Sequence, residues 1–106
     1  MQKLNDDNFD DFLKDNKQGV VIFSAPWCGP CKDLVLLLEE LDKKRDDLVM
    51  GIINVDESPE VIARLAIISI PLILIFDNGE IVERVLGYHY LSIVIILKQH
   101  SLAPGF

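Results

Sequence analysis

The 106-residue sequence predicts an α/β fold in which a mixed central sheet carries helices on both faces. Three observations point there. Short runs of consecutive apolar residues, which suit strands buried on both sides, alternate with stretches whose apolar residues recur at helical spacing. That alternation calls for crossover connections, and right-handed crossovers bring strands parallel. Asn78-Gly79, set between two apolar runs, is a hairpin signal that adds an antiparallel edge.

Taken in order, Phe9, Phe12 and Leu13 recur among Asp6, Asp7, Asp10, Asp11 and Asp15. This predicts a short amphipathic helix capped by Asn5, with acids at the positive end of its dipole. The acids read as a solvated face rather than a binding surface. Val20 to Phe23, after Gly19, is a buried strand. Beyond residues 24–32 a helix runs to about Arg45, with Leu34, Val35, Leu37, Leu38 and Leu41 as its apolar stripe and Leu36 on the opposite side. Lys43, Lys44 and Arg45 fall in its last turn, where cations are favoured. Leu48 to Val55 is a second buried strand.

Ser58-Pro59-Glu60 marks a helix start, with a hydroxyl cap, a proline at the first helical position and an acid behind it. Val61, Ile62 and Leu65 then point inward. Pro71 opens a third run, Leu72 to Phe76, and Ile81 to Leu86 returns after the hairpin until Gly87 breaks it. A last helix covers roughly Tyr90 to Ser101. Its segment Ile93-Val94-Ile95-Ile96-Leu97 is apolar all round, which leaves two readings open: an exposed patch for self-association or a partner, or deeper packing. Leu102 to Phe106 reads as a frayed tail.

Composition narrows the function. Half the residues are apolar and a quarter charged, which is globular rather than disordered, and residues 1–106 fit one domain. No internal repeat or linker interrupts them. Seventeen acids against ten bases give a net charge of -7, which disfavours nucleic acid and anionic membrane surfaces as partners. No apolar run approaches the ~20 residues of a membrane helix. Met1 to Asp7 contain no apolar signal region, so the expected location is cytoplasmic.

The two cysteines, Cys28 and Cys31, cannot staple a secreted fold. They lie between a buried strand and a helix. A cysteine at a helix N-terminus meets unpaired N–H groups and the positive dipole end, which lower a thiol pKa toward ~7 or below. The thiolate is the nucleophile of thiol–disulfide exchange, and a second cysteine one turn on can attack the mixed disulfide. Gly29 allows a tight turn, and Pro30 fits the first helical turn without wasting a donor. Two inert buried cysteines would not need Trp27, Gly29 and Pro30 around them. A zinc site needs four ligands, and His89 and His100 are neither near nor in a spaced pair, so no metal is expected unless it is shared across a dimer. Tyr88, His89 and His100 read as surface or packing residues.

With Trp27-Cys28-Gly29-Pro30-Cys31-Lys32 the chain resembles the thioredoxin family, and Ile70-Pro71, Asn78-Gly79 and Gly87 fall at that family's spacings. The resemblance spans nearly the whole chain. It implies the thioredoxin fold, a sheet of four or five strands flanked by four helices. It implies reduction of protein disulfides, with Cys28 attacking and Cys31 resolving, and electrons supplied by a thioredoxin reductase that is flavin-dependent and fed by NADPH. It makes Pro71 a cis-proline facing the cysteines and makes Trp27, Ile70, Pro71 and Gly87 the apolar surface on which a client segment docks. The chain itself then holds no cofactor. From the residues alone, Trp27 fits simple packing equally well.

Four positions depart from the family's pattern. Ile22 stands where a buried aspartate usually helps the resolving cysteine lose its proton, and Ile52 where a partner lysine often lies on the next strand. Exchanging both halves of a buried ion pair for apolar residues is often neutral or stabilising by ~1–4 kcal/mol, whereas losing one half is costly. The expected consequence is slower resolution by Cys31 with first attack intact. Ser24 replaces a common large aromatic, and Leu36 replaces a helix-kinking proline, so that helix should be straighter. A second class of function is a binding or scaffold module working through the apolar last helix. An oxidase or isomerase shares the fold, but Gly29-Pro30 between the cysteines resembles the reducing branch.

Overall fold

The apolar runs become strands of one sheet. The computed structural model describes residues 1–44 and 49–100. The chain forms β1 (Gln2–Leu4), α1 (Phe9–Asp15), β2 (Gln18–Ser24), α2 (Gly29–Lys44), β3 (Val49–Asn54), a 3₁₀ turn at Val55–Glu57, α3 (Pro59–Arg64), β4 (Leu72–Asp77), β5 (Glu80–Leu86) and α4 (Tyr90–Gln99). The five strands take the order β1-β3-β2-β4-β5, the mixed sheet expected, with four α-helices around it. Arg45, Leu48, Ser101 and the tail Leu102 to Phe106 lie outside the described residues.

Two features of the sheet exceed the sequence pattern. β1 is three residues long and pairs parallel with β3 at the edge, Leu4 opposite Ile53. Only Leu4 of it is buried, so it carries no periodic signal. β4 runs antiparallel to β2 as well as to β5, so the antiparallel part is wider than the hairpin. Ser24 lies opposite Asn54 at the end of β3 and Phe23 opposite Leu72 at the start of β4, so β4 starts at the end of the sheet where β3 finished and runs back. Asn78 and Gly79 turn it at φ of 54° and 80°, the paired positive φ that an Asn-Gly hairpin supplies.

The sheet divides the core into two layers. Val20 and Ile22 of β2 join Leu34, Leu38 and Leu41 of α2 and Ile93 and Leu97 of α4. Val21 and Phe23 join Phe9, Phe12 and Leu13 of α1 and Val61 of α3. Central strands covered on both faces need apolar residues at every position, which explains the unbroken runs. The α2 stripe packs as expected, with Val35 and Leu37 at its margin and Leu36 61% exposed. On α4, Ile93 and Leu97 are buried and Val94 and Ile96 half-buried, while Leu91 and Ile95 remain exposed at 72% and 55%. Part of the apolar segment packs deeply and part forms a surface strip.

The N-cap of α1 is Asn8, not the expected Asn5, and Asn5 instead organises the turn ahead of the helix. Its Oδ1 accepts the N–H groups of Asp7 and Asn8 at 2.9 and 3.2 Å, and Asn8 Oδ1 accepts the Asn5 N–H at 2.7 Å. The cap of α3 corrects the local reading. Ser58 stands at the N-cap position, but its Oγ makes no hydrogen bond there and is buried without a partner among the described residues. The carboxylate of Asp6 takes over, accepting the N–H groups of Glu60 and Val61 at 3.2 and 2.9 Å. A carboxylate reaching across the fold outcompetes a neighbouring hydroxyl because its charge also suits the dipole. Asp6→Ala is expected to cost about 1 kcal/mol, a fall in Tm of roughly 4–8 °C, with Asp6→Asn retaining most of it. Thermal denaturation of the two variants side by side checks this.

A second link between the same elements is the fork from Arg64 to Asp10, at 3.0 and 2.7 Å. The guanidinium hydrogen bond holds the Asp10 carboxyl below its ordinary pKa. Such stabilisation is present above the ordinary carboxylate pKa and is lost on acidification through the lowered one. Both side chains are half exposed, so its worth is under about 1 kcal/mol.

Candidate active site

β2 ends at Ser24 and α2 begins at Gly29, so the intervening turn delivers Cys28 to the mouth of a helix. The turn is closed by the Cys28 N–H donating to the Ala25 carbonyl at 3.1 Å. Cys31 follows in the first helical turn. The two are joined, with an S–S distance of 2.11 Å and Cα atoms 5.4 Å apart, so the pair is in its oxidised form. The Cys31 N–H donates to Cys28 Sγ at 3.3 Å. It is one of the donors a helix leaves unpaired at its start, and it is aimed at the sulfur. Cys28 is 5% exposed and Cys31 1%, so Cys28 is the outer partner. Ala25, Val55 and Ile70 pack around them, an apolar setting.

Gly29 does not require its special freedom. It avoids the left-handed region, and a Cβ there would meet nothing within 4 Å. The turn is made by its neighbours, and the surface beside Cys28 is left open. Pro30 sits exposed in the first turn of α2, where no donor is lost.

The remaining expected residues converge on the same end of the sheet. The Ile70–Pro71 bond is cis. The Gly87 N–H donates to the Pro71 carbonyl at 2.9 Å, and Gly87 itself has φ +82°, a conformation other residues rarely adopt. Ile70 touches the cysteine cluster. Trp27 is 68% exposed, and its Nε1 donates to the Asp56 carboxylate at 2.9 Å. It lines a groove of about 390 Å³ with Val55, Ile62, Ile68 and Ile70. Trp27 is therefore a displayed side chain and not packing.

Two members of this site escape sequence reasoning. Ile68 is 95% exposed beside Trp27, yet nothing in the sequence sets it apart from Ile67 and Ile70 in the same short stretch before Pro71. Asp56, which holds the indole, looks like any surface acid. Ile22 and Ile52 are Cα partners on adjacent parallel strands, the first fully buried and the second partly. His100 lies 3.5 Å from Glu83, and among the described residues no group of His, Cys, Asp and Glu could hold a metal.

The family model for thioredoxin matches residues 1–97. The chain belongs to the thioredoxin family. It is 41% identical over 80 residues to a thioredoxin of Bacillus subtilis, covering 73% of this chain and 77% of that one. It is 39% identical over 80 residues to a bifunctional thioredoxin reductase/thioredoxin of Mycobacterium leprae, covering 74% of this chain and 18% of that longer protein. Among solved structures, a Plasmodium falciparum thioredoxin superposes with a TM-score of 0.89 at 28% identity, covering 95% of this chain and all of that one. A thioredoxin with its cysteine pair at bonding distance is a thiol–disulfide oxidoreductase, a disulfide reductase. Among the described residues, no helix is long and apolar enough to cross a membrane.

Proposed function

We propose that the chain reduces disulfides of client proteins, with Cys28 as the attacking thiolate and Cys31 as the resolving thiol. The observation that carries this assignment is the Cys31 N–H aimed at Cys28 Sγ from the helix start, on the more exposed of the two sulfurs. In the reduced protein the Cys28 thiolate attacks one client sulfur, a mixed disulfide forms, and the first client thiolate leaves. Cys31 then gives up its proton and attacks Cys28 Sγ. The Cys28–Cys31 bond forms, the second client thiolate leaves, and two electrons have passed to the client. Trp27, Ile70, Pro71 and Gly87, with Ile68, supply the apolar platform for the client segment. The kinship with a protein that joins thioredoxin to its reductase supports a thioredoxin reductase as the electron source. A cytoplasmic setting fits this reductive chemistry.

Replacing Cys31 with serine should stop the cycle halfway. Cys31→Ser, mixed with oxidised insulin, is expected to accumulate a covalent adduct at Cys28 by mass spectrometry, and Cys28→Ser to form none. An adduct that persists through Cys31 in the Cys28→Ser protein would reverse the two roles.

The strip of Tyr90, Leu91 and Ile95 on α4 favours an added interaction role. If it mediates self-association, Leu91→Glu should abolish any concentration-dependent rise in sedimentation coefficient, and a wild-type chain that stays monomeric at high concentration removes this role.

A further inference from the structure

A cleft of about 620 Å³ opens between α2 and the β1–β3 edge of the sheet, separate from the Trp27 groove. Its volume lies in the range of small-molecule sites, ~300–1,000 Å³, and is far larger than one side chain requires. Its walls are chiefly apolar, with Leu4, Val35, Leu36 and Ile52 among them. Ser24, Leu36 and Ile52, far apart in sequence, line it together. Ser24 offers little bulk, Ile52 a hydrocarbon wall, and Leu36 is 61% exposed. An exposed leucine on a helix otherwise well packed gains by being covered.

The mouth carries the complementary polarity. Lys3 and Lys32 both border the cleft, and neither makes an ion pair among the described residues. Among the described residues one acid, Glu57, also lines the cleft, its carboxylate accepting the Asn54 amide N–H at 3.0 Å, so the lysines outnumber it there by two to one. On a chain of net charge -7, two lysines bordering an apolar cleft, without an ion pair among the described residues, favour an anion with an apolar body.

We propose that this cleft binds a small apolar carboxylate, of the chemistry of a medium-chain fatty acid, with its chain along Val35, Leu36 and Ile52 and its carboxylate at Lys3 and Lys32. Pro26 and Lys32 lie both on the cleft and beside the cysteine turn, so occupancy should be legible there.

The probe is sodium decanoate, titrated into the ¹⁵N-labelled full chain below its micellar concentration. Saturable shifts are expected at the amides of Ser24, Val35, Leu36 and Ile52, with weaker ones at Lys32. Ser24→Trp should refill the cleft and weaken binding by about tenfold or more, the cost of about 1.4 kcal/mol of lost apolar contact. Leu36→Glu, on an exposed position, tests the same point without disturbing the core, through repulsion of the carboxylate. The uncharged decanol should bind less well to the wild type, and Lys3→Gln with Lys32→Gln should erase that preference. Non-saturable shifts, shifts centred on Trp27 and Ile68, or undiminished binding in a folded Leu36→Glu protein would overturn the proposal.

Discussion

Replacing Cys28 with serine is expected to lower dithiothreitol-driven insulin reduction to the rate of dithiothreitol alone. The effect is total because the Cys28 thiolate is the group that attacks the client disulfide, and Cys31 acts only on the mixed disulfide that this attack forms. Serine at that position is slightly smaller and its Oγ can still accept the Cys31 N–H, but its hydroxyl stays protonated at neutral pH and cannot attack sulfur usefully. Folding should be little changed, because the buried sulfur is replaced by a smaller group at a helix mouth, and circular dichroism of the variant controls for this. A conventional thioredoxin run in parallel sets the scale. Insulin reduction that survives in a folded Cys28→Ser protein would remove the assignment of Cys28 and move attention to Cys31.

The second large effect concerns Ile22. Its side chain is fully buried among Leu34, Leu38, Ile73 and Ile75, under the same face of α2 that turns Cys31 inward one turn earlier. Ile22→Asp places a carboxyl in that layer with no charged partner. The expected cost is about 3 kcal/mol or more, and a fall in Tm above ~10 °C. Adding Ile52→Lys should recover part of it, because residues 22 and 52 are Cα partners across β2 and β3 and the position of Ile52 borders the open cleft. There a lysine stem packs on hydrocarbon while its ammonium reaches water.

The same substitution should raise turnover. Burial pushes such a carboxyl's pKa up toward neutrality, where it can accept the Cys31 proton. In the wild type, resolution depends on Cys31 losing its proton without a neighbouring carboxylate and should therefore climb with pH. In Ile22→Asp, resolution of a preformed mixed disulfide at pH 7 should quicken by about an order of magnitude, with a flatter pH profile. Stopped-flow tryptophan fluorescence from Trp27, whose indole stands exposed beside the cysteines, reads this step. An unchanged rate at pH 7 in the folded double variant would mean that Cys31 loses its proton by another route.

Much of this was legible in the chain itself because the signals are local. Thiol chemistry at a strand–helix junction follows from four consecutive residues, Cys28 to Cys31. The hairpin follows from Asn78-Gly79, and the buried strands from unbroken runs such as Leu72 to Phe76, which no other setting rewards. The alternation of these elements was enough to place a mixed sheet between helices.

What the tertiary structure alone decided are the pairings between residues distant in sequence. The Asp6 carboxylate caps α3 across 55 residues in preference to the adjacent Ser58, because a charge with room to reach two N–H groups suits them better than a hydroxyl turned into the core. β4 runs antiparallel to β2, a direction no local signal records. Gly87 meets Pro71, and Ile68 stands beside Trp27, only once the strands are in register. Ser24, Leu36 and Ile52 are scattered along the chain, and the fold brings them to one cleft. A sequence records propensity and periodicity, which act over a few residues. A site is made by contacts, and those depend on where the whole core settles.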